Sequence, residues 1–239
     1  MKQIKVRGLV LREYEAGESD KRLVIFCKEL GRLMVYARGA RKPTSRFMSA
    51  AQLFTYADFV LTKGQGFYSL GQAEIIESFY PLREDYDRLM TAHLVAEVCE
   101  KTLWDNIESD ELLRLALKSL SVLAKGILPP LQVACVFLFK FLDVHGLRPQ
   151  TDACITCATP YNQIKRGGIC AEGLVCETHR PMVYQPVSMG AVAAMQHILE
   201  NDMTKAFQFT ATDDILNALR KAADLLWKCH FEYELKTGV

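Results

Sequence analysis

From Ile4 to about Ile76 the chain runs in short stretches of period two. Ile4, Val6 and Val10 alternate with Lys5 and Arg7, the pattern of a half-buried strand. Further runs follow at Arg22 to Cys27, Leu33 to Arg38, Leu53 to Leu61 and Phe67 to Ile76, separated by turn sequences such as Ala16-Gly17-Glu18-Ser19-Asp20 and Lys63-Gly64-Gln65-Gly66. Five short strands at regular spacing predict a small barrel or sandwich, and the count favours an OB-fold, with an SH3-like barrel as the other possibility. From Pro81 the period becomes helical. Leu89, Ala92, Ala96, Cys99 and Leu103 form one stripe, and Leu112, Leu113, Ala116, Leu120 and Leu123 form a second that ends at Gly126. Pro129-Pro130 opens a third helix, Leu131 to Val144, apolar nearly all round and stopped by Gly146 and Pro149. Two more helices are predicted from Val187-Ser188 through Leu199 and from Thr212 to Tyr233. The fold class expected is therefore α+β: an N-terminal OB-fold β-barrel at 1–80, then an α-helical bundle at 81–239. Residues 150–186 lose all periodicity and form an insertion in that bundle.

Charge changes the picture most between Arg38 and Arg46, where Arg38, Arg41, Lys42 and Arg46 fall in nine residues with Gly39 and Pro43 as punctuation. No carboxylate occurs along the chain between Leu30 and Ala57. The net charge of +1 hides an asymmetry, because residues 1–80 carry 13 Lys/Arg against 8 Asp/Glu while 81–239 carry 16 against 20. A basic loop between strands, with Thr44 and Ser45 hydroxyls beside backbone N–H groups, suits phosphates. Lys5, Arg7, Lys21, Arg22 and Arg32 extend the candidate patch. Tyr36, Phe47 and Tyr68 are the aromatic candidates for stacking on bases, with core packing the simpler role for each.

The aperiodic segment carries its own chemistry. Cys154-x-x-Cys157 and Cys176-x-x-His179 are two knuckles whose spacing predicts one structural zinc ion. Four protein ligands close the tetrahedron and leave no position for a catalytic water. Cys170 is an alternative to Cys176 or His179. Cys27, Cys99, Cys135 and Cys229 sit in apolar patterns and are assigned to the core. No phosphate-cradling glycine loop, H-E-x-x-H or G-x-S-x-G motif is present, so no enzyme is expected. The start of the chain lacks an apolar leader and its most apolar stretch contains Lys140 and Asp143, which predicts a cytoplasmic protein with no membrane partner.

Taken in order, Gly17-Glu18-Ser19-Asp20-Lys21, Gly39-Ala40-Arg41-Lys42-x-x-Ser45-Arg46, Gly146-Leu147-Arg148-Pro149 ahead of the first knuckle, and Pro186 to Ala191 after the second resemble the bacterial recombination mediator family RecO over essentially the whole chain. His179 stands where that family more often has a cysteine, and members that lack the cysteines make the zinc structural. The resemblance implies a non-catalytic DNA repair and recombination protein. Its implied activities are binding single- and double-stranded DNA, annealing complementary strands and helping to load RecA. Its implied partners are RecR and the acidic C-terminal tail of single-strand-binding protein, with RecA engaged indirectly. The competing class is an OB-fold and zinc-ribbon binding module of transcription or RNA metabolism.

Overall fold

The computed structural model describes residues 2–105 and 107–237, which divide into two compact units, Met1–Lys125 and Gly126–Val239. In the first unit, strands β1 (Gln3–Ala16), β2 (Asp20–Cys27), β3 (Gly31–Ala37), β4 (Tyr56–Lys63) and β5 (Tyr68–Glu77) close into a barrel ordered β1-β2-β3-β5-β4. Every neighbouring pair is antiparallel except β3 with β5, which pair in parallel. That order is the OB-type barrel expected from the strand count. The long strand β1 serves two neighbours, β4 along its first half and β2 along its second, and a bulge between Val10 and Arg12 turns it from one to the other. Gly8 sits where β2 crowds the backbone, since a Cβ there would lie 2.6 Å from Ile25 Cγ2 and 2.8 Å from the Phe26 carbonyl.

The alternating pattern places Val6, Val10, Leu23, Ile25, Leu33, Val35, Phe59 and Leu61 inside the barrel. The basic segment joins the same core. Ala40, Phe47 and Ala51 are buried with the barrel residues, and backbone bonds such as Ser45 N–H to the Lys42 carbonyl (2.9 Å) and Ala51 N–H to the Phe47 carbonyl (2.8 Å) coil the chain between them. Residues 38–55 therefore form a folded cap. This shortens the fourth strand: Phe54 takes a left-handed φ of 66°, its N–H donates to the Val10 carbonyl, and extended pairing starts only at Tyr56 instead of Leu53. Helices α1 (Tyr86–Thr102) and α2 (Asp110–Lys125) complete the unit. Asp85 caps α1, accepting from the Arg88 N–H at 2.9 Å, while the Asp87 carboxylate faces its positive end.

In the second unit, α3 (Pro130–Val144) is buried almost throughout, as its all-round apolar sequence requires. Helices α4 (Met189–Glu200) and α5 (Asp213–His230) pack with it, and Trp227 of α5 lies among Phe141, Phe231 and Tyr233 with ring centroids 4.2–5.6 Å away. Between α3 and α4 the aperiodic segment forms a three-stranded sheet, β7 (Leu174–Cys176), β6 (Gly167–Ile169) and β8 (Gln185–Val187), in that order. Among the described residues no helix is long and apolar enough to cross a membrane.

Cys27, Cys99 and Cys135 are buried as expected, and burial pushes their thiols up, Cys27 to about 11 and Cys135 to about 12. Cys229 is exposed, contrary to the core position assigned from the helical pattern. It lies two residues past Trp227, beside the exposed Lys228 and His230, where α5 turns its polar side outward.

Candidate nucleic-acid interface and metal centre

The cap carries its cations on a fixed base. Arg38, Arg41, Lys42 and Arg46 are all exposed, while the apolar side chains between them hold the backbone against the barrel. Arg46 lies over the Phe47 ring at 4.7 Å and donates to the Gly71 carbonyl at 2.9 Å. The cap is also tied to the β1–β2 turn. Gly39, at a left-handed φ of 66°, donates its N–H to Asp20 Oδ1 at 2.7 Å, and the Arg41 N–H donates to the Ser19 carbonyl. The Gly39 N–H, then the Ser19 hydroxyl and the charges of Arg38 and Lys42, outweigh burial and hold the Asp20 carboxyl below its ordinary range. Arg41 Nη2 lies 3.0 Å from Glu15 Oε1, and its Nη1 donates to the Gly17 carbonyl. The cap, which has no carboxylate of its own, thus meets two in space.

The flanking cations divide into free and engaged. Lys5 is exposed and, with Arg7 and Arg46, lines a groove of about 820 Å³ across β1, β4 and β5. Arg7 is held there by both oxygens of Asp58, at 2.7 and 2.8 Å. Lys21 is half-buried between Glu13 and the Ala51 carbonyl. Arg32 pairs with Asp105 at 3.0 Å. Arg22 is exposed, its guanidinium 5.8 Å from the Tyr14 ring centroid.

Two of the three aromatic candidates take the core role that the sequence made the simpler one. Phe47 is buried and Tyr68 packs against the barrel core, as core residues. Tyr36 is half-buried on the outer face and belongs to a row: Tyr14 pairs with Arg22 across β1–β2, Arg22 pairs with Tyr36 across β2–β3, and the Tyr36 ring lies 6.0 Å from that of Phe67. Tyr14 and Phe67 are exposed, and Phe67 shares a hollow of about 260 Å³ with Arg38 and Lys63. Neither ring was singled out in the sequence, since the register that aligns them joins residues far apart along the chain.

The two knuckles meet. The donor atoms of Cys154, Cys157, Cys176 and His179 all lie within 4.8 Å of one another. In the first knuckle Ala158 takes a left-handed φ of 56° and donates to the Cys154 carbonyl at 2.9 Å, folding the loop so that both sulfurs face inward. The second knuckle is the end of β7 followed by a 3₁₀ turn, Glu177–His179. Zn–S bonds of about 2.3 Å in a tetrahedron put neighbouring sulfurs about 3.8 Å apart. Cys157 and Cys176 sulfurs are 3.9 Å apart, and Cys176 Sγ is 3.2 Å from His179 Nδ1, so the donor set fits a tetrahedral ion. Burial raises the Cys154 thiol, but backbone N–H groups of Cys157, Cys176 and Thr156 outweigh it and hold the group at about 6. Burial, reinforced by the neighbouring Cys154 and Cys157 sulfurs, pushes Cys176 up, the conflict a cation relieves. Cys170 lies outside the cluster, its sulfur directed to Glu172 (3.3 Å) and the Gly173 carbonyl (3.4 Å).

Two family models match the chain, Recombination protein O N terminal over residues 1–79 and Recombination protein O C terminal over residues 83–238. Among curated relatives, the DNA repair protein RecO of Acetivibrio thermocellus is 32% identical over 97% of this chain and 93% of its own length. That of Thermoanaerobacter is 28% identical over 99% and 96%, and that of Alkaliphilus metalliredigens 34% identical over 72% and 70%.

Proposed function

Since the chain belongs to the recombination protein O family, we propose that it is a DNA repair and recombination protein that binds single- and double-stranded DNA through the capped face of its N-terminal barrel. It anneals complementary strands and helps load RecA together with RecR. The carrying observation is the rigid cap: Arg38, Lys42 and Arg46 stand exposed on a backbone that Ala40, Phe47 and Ala51 anchor in the core. Cations placed in advance lose little freedom when they meet phosphates. Tyr36 and Phe67 add π-faces for unstacked bases, which a duplex does not offer. The work is electrostatic and non-catalytic, because screening two polyanions from each other requires no bond to break.

Cys154, Cys157, Cys176 and His179 hold one zinc ion in this reading, and the ion's contribution is to fold its segment. The acidic tail of single-strand-binding protein is a further partner. If Arg38, Arg41, Lys42 and Arg46 each meet one phosphate, the log–log salt dependence for single strands has a slope of roughly −3, from about −0.7 per contact. Replacing Arg41 and Lys42 by Ala flattens it by about 1.4 in a fluorescence-anisotropy titration. An unchanged slope in that double variant removes the cap from the interface.

A further inference from the structure

A second positive surface lies beside the metal centre. Lys165 and Arg166 precede β6, Arg180 follows the second knuckle, and Tyr184 leads into β8. These side chains, with Glu177 and Ser188, line a groove of about 430 Å³. The three cations come from two segments, Lys165-Arg166 and Arg180, which meet only through the knuckle fold. Lys165, Arg166 and Arg180 are exposed, and among the described residues Lys165 and Arg180 have no carboxylate partner. Arg166 pairs with Glu177 only at 3.9 Å, with side chains 81% and 57% exposed, a pair worth little against solvent. Ser188 is the N-cap of α4, so the positive end of a twelve-residue helix opens on the same groove. Against these stand one carboxylate and the residual negative charge that three thiolates leave on a bound divalent ion, which keeps the balance positive.

We propose that this groove binds a second nucleic-acid strand, its phosphates on Lys165, Arg166 and Arg180 and a base against Tyr184. The proposal rests on the reading of the barrel cap as the first strand's site, and it gives annealing a physical basis. With one cationic surface two strands compete for it, whereas two surfaces on one chain hold both at once and raise their effective concentration. Nucleic acid suits the groove better than an acidic peptide because Tyr184 supplies an aromatic face next to the cations.

The test uses the full-length zinc-loaded protein and short labelled dT oligonucleotides at low salt, titrated well above the dissociation constant to read strands bound per chain. The wild type takes two. Arg166→Ala/Arg180→Ala takes one, anneals complementary strands at least tenfold more slowly, and keeps one zinc per chain. Arg41→Ala/Lys42→Ala, in the cap, weakens the first strand and leaves the groove's strand in place. A wild type that saturates at one strand overturns the proposal, as does a groove variant that still takes two. If the groove variant takes two strands but loses affinity for a polyglutamate peptide, the groove belongs to an acidic protein partner and the proposal also fails. If the cap variant is unaffected while the groove variant still loses a strand, the groove stands and the reading of the barrel falls.

Discussion

Glu15 shows how a single residue would tune the proposed phosphate surface. Its carboxylate neutralises Arg41 at 3.0 Å in the unbound protein, and the pair is solvent-exposed. Exposed pairs contribute about 0–1 kcal/mol, so a phosphate displaces Glu15 at small cost. Glu15→Gln is therefore expected to tighten oligonucleotide binding about two- to fivefold and to steepen its salt slope, measured by anisotropy. Asp20 acts from the other side, by holding the cap through the Gly39 N–H. Its carboxyl is depressed in the folded state, so its stabilising contribution is fully present above the ordinary carboxylate value of about 3.9. That contribution is lost as pH falls through the lower folded value. Thermal unfolding between neutral pH and pH 3 is expected to fall less steeply in Asp20→Ala than in the wild type, and parallel curves would remove this role. Neither carboxylate was visible as a partner in the sequence. Both belong to the β1–β2 strands and turn, and the register of the β1-β2-β3 meander sets them against residues 38–46.

At the scale of elements, legibility followed the range of the interactions. The unbroken apolar run of β2, the alternation in β3 and the all-round apolar run of α3 record burial directly, and these elements lie where the pattern put them. The knuckles were equally readable, because two C-x-x-C/H steps carry their geometry in their own spacing. The start of β4 was misplaced because Leu53 and Phe54 are apolar for a different reason: they belong to a turn that tucks under the barrel. Cys229 was misplaced because one residue of helical phase separates the buried from the exposed side of α5. The knuckle segment is ordered by short elements, three three-residue strands and the 3₁₀ turns Tyr161–Gln163 and Glu177–His179. Cys154→Ser/Cys157→Ser is accordingly expected to lose its zinc, about one per chain by metal analysis, and to expose residues 150–186 to limited proteolysis while the first unit keeps its melting transition. Purified wild type with no bound zinc would refute the assignment.

For the molecule as a whole, charge asymmetry in the sequence corresponds to a division of labour more finely divided than net charge suggests. The first 80 residues are basic and carry the cap, yet Arg7, Lys21 and Arg32 of that region are spent on internal carboxylates. The acidic remainder still concentrates three cations in one groove. Net charge counts residues, and a polyanion meets surfaces. The barrel itself has an uneven seam. The meander β1-β2-β3 and the hairpin β4-β5 are joined by long ladders, whereas β3 and β5 share just Val35 with Tyr68 and Tyr36 with Ser69. Two rungs hold far less than the seven of β1 with β4, so this pairing is the first to yield. Tyr36 sits on that seam, so the ring proposed to stack on a base is mounted where the wall is thinnest, and a bound strand would act as a rivet across the gap.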